Sequence, residues 1–144
     1  MKILILNGPN LNLQGRRDTD VYGTKTFEEF LEELRTAYAD MTLDYFQSNV
    51  EGELINALHG SVGVYDGVVF NAGGYTHTSV ALRDAISAAA VPTVEVHISN
   101  THKREEFRHV SYTAPVCIAQ LQGFGLTGYA LAVEGLIAYL TAQK

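Results

Sequence analysis

Three short segments of this chain carry residue types able to do acid–base chemistry on a small anionic molecule. Arg17 and Tyr22 share a loop with Asn10. A free tyrosine, with a pKa of about 10, is a poor base near neutrality. A cation within about 4–6 Å favours the phenolate, and an arginine cannot lose its own charge, so the two side chains form a base if they meet. Glu95 and His97 are two residues apart in a strand pattern and therefore point the same way. A carboxylate beside an imidazole fixes its tautomer and supports its acid form. Asn71 precedes the glycine pair Gly73-Gly74 and then His77. Adjacent glycines leading into a helix let backbone N–H groups approach a ligand oxygen. Plainer readings exist for each: a packed surface tyrosine, a satisfied core histidine, an ordinary strand–helix turn.

The elements that must position these residues follow from hydrophobic periodicity. Ile3–Leu6, Leu43–Phe46, Val68–Phe70, Thr93–Val96 and Val116–Leu121 are short apolar runs bounded mostly by Gly, Pro, Asn or Ser, and read as strands. Helical patterns lie between them. Thr26 with Glu29 and Ser48 with Glu51 have capping-box spacing. Phe27, Phe30, Leu31 and Leu34 share one face of the first helix. A third helix is expected over about 78–90, with Val80, Leu82, Ile86 and Ala89 as its apolar side. The last is expected over about 127–141. Alternating strands and helices imply a parallel sheet covered on both faces, with sites at the carboxyl ends of the strands. The expectation is one α/β domain over 1–144 with five strands, a number that a flavodoxin-like order suits, although periodicity does not give the strand order itself. The connection from Asn7 to about Gly23 far exceeds the roughly two to six residues usual for such loops, which suggests a lid or catalytic loop.

Composition narrows the partners. The 144 residues are 47% hydrophobic and 18% charged, with 16 acidic against 10 Lys and Arg, for a formal net charge of −6. That field does not attract nucleic acid or an anionic membrane surface. Cys117 is the one cysteine. It supplies neither an internal disulfide nor a thiolate metal cluster, and its apolar neighbours suggest a small buried hydrophobe. A reducing, cytoplasmic location fits. The apolar run after Met1 is too short for a signal peptide or membrane span.

Four segments, NGPNLNLQGRRDTDVYG (7–23), QSNVEGELI (47–55), NAGGYTHTSVALRDA (71–85) and VEVHISNTHKREEFRHVSY (94–112), resemble the type II 3-dehydroquinate dehydratases in order and spacing, and the resemblance covers essentially the whole chain. It implies a flavodoxin-like three-layer sandwich, no cofactor, no metal, and assembly as a dodecamer. It further implies conversion of 3-dehydroquinate to 3-dehydroshikimate and water in the shikimate route to aromatic amino acids. By the same resemblance Tyr22 matches the base, Arg17 the residue that tunes it, and His97 the proton donor, which the strand alternation places beside Glu95 as its support. Asn10 matches a supporting asparagine. Asn71, His77, Asp84, Ile98, Ser99 and Arg108 match substrate-binding positions.

The residue inventory suits that reaction. An enolate intermediate needs a base, an enolate stabiliser and an acid for the departing oxygen. Lowering a tyrosine pKa by roughly three units takes about 4 kcal/mol, which Arg17 with Arg104 or Arg108 nearby is expected to supply. An imine route to the same product requires a buried lysine. Lys2, Lys25, Lys103 and Lys144 fall in no core strand, so that route is set aside. A flavin- or nucleotide-binding module and a non-catalytic assembly protein remain the competing readings, although the first strand ends in Asn-Gly-Pro-Asn rather than a Ser/Thr-rich phosphate loop. Arg16, Arg17, Lys103, Arg104 and Arg108 fall in two loops that the fold is expected to bring together as a small basic pocket.

Overall fold

In β1 (Lys2–Asn7) successive residues feed opposite layers. Ile3 and Ile5 pack into one apolar cluster, while Leu4 and Leu6 pack into another. This is the behaviour of a strand buried on both faces. The computed structural model describes residues 1–16, 20 and 24–144. Among these, β1 joins β2 (Thr42–Gln47), β3 (Gly67–Asn71), β4 (Thr93–His97) and β5 (Ala119–Gln122) in one parallel sheet of order β2-β1-β3-β4-β5. That is the flavodoxin-like order.

Among the described residues, two helices cover each face. Phe27, Phe30, Leu31 and Leu34 of α1 (Phe27–Ala37) are all buried, against Tyr129, Ala132, Val133 and Leu136 of α4 (Thr127–Ala142). On the other side lie Leu54 and Leu58 of α2 (Glu51–Gly60) with Leu82, Ala85 and Ile86 of α3 (Val80–Ala89). Each of the Phe, Leu, Ile and Val side chains gains about 1.5–3 kcal/mol on leaving water. No helix among the described residues is long and apolar enough to cross a membrane.

Local signals hold at some ends and fail at others. The Thr26–Glu29 capping box forms in full: the Thr26 hydroxyl accepts from the Glu29 N–H at 3.2 Å, and the Glu29 carboxylate accepts from the Thr26 N–H at 3.2 Å. Ser48 makes no such box. Val50 caps α2, and the Ser48 hydroxyl instead accepts from the Val50 N–H and donates to Glu53, both at 2.9 Å. The third helix is two residues shorter at its start because the Ser79 hydroxyl caps it, accepting from the Leu82 N–H. Val80 then faces outward and Ala85 takes its place in the core. β5 starts three residues later than expected, since Pro115 opens a short 3-10 turn over Ala114–Val116. Cys117, in that connection, is half-buried rather than fully enclosed.

Candidate active site

The strand order reverses direction between β1 and β3, and the carboxyl ends there border a cavity of about 190 Å³. Such a reversal point is where open parallel sheets bind ligands. From the end of β1 come Pro9, Asn10 and Leu11. Gly8, just before them, must be glycine: an added Cβ would sit 2.7 Å from the Ala72 carbonyl oxygen. That close approach lets the Gly8 N–H donate to the Asn71 carbonyl at 2.7 Å and ties the two strand ends. Asn10 holds a left-handed backbone (φ 70°), which asparagine tolerates better than most residues. Its N–H donates to the Asn49 side chain at 3.0 Å.

From β3 come Asn71, Gly73, Gly74 and His77. The orientation of the Asn71 amide is set by a backbone donor. The Gly73 N–H needs an acceptor, so Asn71 Oδ1 takes it at 3.0 Å, and Nδ2 must then donate to the Tyr129 hydroxyl at 2.9 Å. Tyr129, fully buried, donates onward to Asn7 Oδ1 at 2.8 Å. Burial drives its phenol far above the ordinary range, so it stays protonated. The His77 Nδ1 lies 2.7 Å from the Val110 carbonyl, which can only accept, so this nitrogen carries the proton. Burial lowers the pKa of His77, and the nearby His97 and Arg108 act in the same direction.

From β4 and the turns after it come His97, Ile98, Ser99, Thr101, Arg104 and Arg108. Glu95 is 1% exposed, yet its carboxyl pKa is lowered. Burial alone would raise it; the opposing cause is the ring of donors around it, led by His97. His97 Nε2 donates to Glu95 Oε2 at 2.9 Å, and the Ser111 and Thr113 hydroxyls donate to the same carboxylate. The pairing leaves His97 Nδ1 as the nitrogen available to the cavity side. The His77 and His97 rings stack with centroids 6.2 Å apart. Arg108 Nε is paired with Glu105 at 2.7 Å, and Arg104 reaches the Ser99 hydroxyl at 3.4 Å. The arrangement offers an imidazole held by a buried carboxylate, two guanidinium groups and a glycine-lined turn around one cavity.

The model for class II dehydroquinases matches residues 1–137. The chain belongs to the class II dehydroquinase family. It is 58% identical over 140 residues to the 3-dehydroquinate dehydratase of Exiguobacterium sp., covering 96% of each chain. It is 53% identical over 144 residues to that of Synechocystis sp., covering 99% of this chain and 95% of the other. The crystal structure of the type II dehydroquinase from Butyrivibrio crossotus superposes with a TM-score of 0.91 at 42% identity, over 94% of this chain and 97% of that one.

For this family member the fold gathers most of the residues singled out from sequence, but not all. Asn10, Asn71, His77, His97, Ile98, Ser99 and Arg108 line the cavity, with Glu95 directly behind His97. Asp84 stands exposed on α3 and is not among the lining residues. Arg17 and Tyr22 lie outside the described residues. Of the five cations expected together, Arg104 and Arg108 line the cavity, whereas Arg16 and Lys103 are exposed and do not. Sequence reasoning missed Ser111, Thr113 and Tyr129, which hold Glu95 and Asn71 in place. Their contacts span 16 to 58 residues of chain, and no local spacing encodes them.

Proposed function

We propose that this chain dehydrates 3-dehydroquinate to 3-dehydroshikimate and water through an enolate, without a covalent enzyme intermediate. The observation that carries the reading is the buried Glu95–His97 pair opening onto the cavity at the β1/β3 reversal. Tyr22, its phenolate favoured by Arg17, removes the proton from carbon 2. The electron pair moves toward the adjacent ketone oxygen, which becomes the enolate. The enolate then expels the carbon 1 hydroxyl, and His97 Nδ1–H protonates the departing oxygen to give water. Glu95 supports the charged imidazole from behind. Asn10 holds a water against the enolate oxygen.

The substrate carboxylate is assigned to the backbone N–H groups of Ile98 and Ser99 with the Ser99 hydroxyl. Asn71, His77 and Arg108 are assigned to the ring oxygens. Asp84 joins them only in an assembly that carries a second copy's α3 to the cavity mouth, in keeping with the proposed dodecamer. None of the four lysines lines the cavity, which supports a route without an imine. The reading places the enzyme in the cytoplasm, on the route to aromatic amino acids, with no cofactor or metal.

Addition of 3-dehydroquinate to the purified chain tests this directly. Growth of conjugated-enone absorbance is expected, and its absence at high enzyme concentration sinks the reading. Borohydride added during turnover is expected to trap nothing; a reduced lysine adduct contradicts the enolate route.

A further inference from the structure

The carboxylate behind His97 is held partly from the edge of the sheet. β5 is an edge strand, with Ala119 and Gln120 exposed. In the β4–β5 register Gln120 is the direct partner of Glu95, and paired residues of parallel strands face the same side. The Gln120 Nε2 donates to Glu95 Oε2 at 2.6 Å. This is the same oxygen that accepts from His97 at 2.9 Å and from Ser111 at 3.0 Å. Oε1 serves Ser111 at 2.9 Å and Thr113.

We propose that Gln120 is a positioning residue of the reaction, which limits how strongly Glu95 stabilises the protonated His97 ring through Nε2, and so how readily Nδ1 gives up its proton, by occupying a lone pair on the shared oxygen. The proposal rests on the reading of His97 as the acid. A carboxylate oxygen already engaged by a neutral N–H donor is a weaker acceptor for a charged imidazole. An acid held too tightly would keep its proton instead of passing it to the departing oxygen. Other charged and titratable groups face the pair: the His77 ring stacked on His97, Arg104 and Arg108 in the cavity wall, and Cys117 near the carboxylate. Burial pushes the Cys117 thiol up to about 12, so it adds no charge at neutral pH. Arg104 and Arg108 keep theirs throughout. Gln120 is therefore a neutral lever on the carboxylate, beside the Ser111 and Thr113 hydroxyls, and the one supplied by the edge strand β5.

The test is Gln120→Met, which keeps length and removes the donor, with Gln120→Leu as a second variant. The His97 titration is followed by NMR in the full chain labelled at histidine, alongside the pH dependence of kcat and kcat/KM for 3-dehydroquinate. Both variants are expected to move the His97 midpoint, and with it the alkaline limb of kcat, upward by about half a unit to one unit, while KM changes less than about twofold. A merely structural role would lower activity evenly across pH and leave the midpoint in place. His97 titrations that superimpose on that of the unsubstituted chain overturn the proposal, as does a shifted midpoint with an unmoved kcat limb. If the unsubstituted chain fails to dehydrate 3-dehydroquinate, the reading of function falls on that result alone.

Discussion

Glu95 is the residue on which burial and ionisation pull hardest against each other. Its donors win, so its folded pKa lies below the ordinary carboxylate value. A group of that kind contributes stability that is present above its unfolded pKa and lost as pH falls through the lower folded value. Glu95→Gln is therefore expected to flatten the acid side of the stability–pH curve, measured by urea unfolding between pH 3 and 7. An unchanged slope would mean that Glu95 is not the group responsible. His97→Ala should cost about 10²–10⁴ in turnover, and Tyr22→Phe should lose most turnover while still binding substrate analogues. Near-normal rates would remove either residue from its assigned role. The Glu95–His97 pair was legible because a period of two needs no tertiary knowledge. Gln120 was not, because the run around it read only as an apolar strand and gave no sign that its amide turns back to β4.

At the level of elements, what was legible depended on whether the signal and its partner lie within one turn of chain. Thr26 and Glu29 do, and the box forms; Thr26→Ala should lower stability by about 1 kcal/mol in a denaturant titration, with activity retained. Ser48 shows the same spacing to Glu51, but Val50 takes the cap and Ser48 finds Glu53 instead. Spacing alone does not distinguish these outcomes; the path of the chain out of β2 does. Gly8 is the converse, a residue whose identity is set by another strand. Gly8→Ala drives a methyl into the Ala72 carbonyl, and overpacking of this sort costs about 1–3 kcal/mol. Because that carbonyl lies between Asn71 and Gly73, activity should fall along with the unfolding midpoint. A variant destabilised yet fully active would show that the β1–β3 tie does not shape the cavity.

For the whole molecule, net charge concealed a local asymmetry. The chain is acidic, yet Arg104 and Arg108 face one cavity with a recessed carboxylate behind it. Association is the other property that belongs to this scale. α4 is apolar nearly all round, and Leu131 and Tyr139 remain 40% and 39% exposed on it. Such surface calls for cover. Light scattering at micromolar concentration is expected to give about twelve times the chain mass, the stoichiometry that the resemblance implies. A monomer mass would remove both the dodecamer and the proposed part for Asp84.

The pairing of β1 with β3 also governs how the active molecule comes into being. Ile3 lies opposite Gly67, so β1 gains its β3 neighbour only after the intervening chain has folded back across it. Parallel pairings of this reach close large loops before any contact rewards them, which makes them slow to form. The cavity wall draws on positions from Pro9 to Arg108, so no early fragment of the polypeptide contains it. On dilution from denaturant, helical signal should therefore return well ahead of catalysis, with enzyme activity tracking the last kinetic phase.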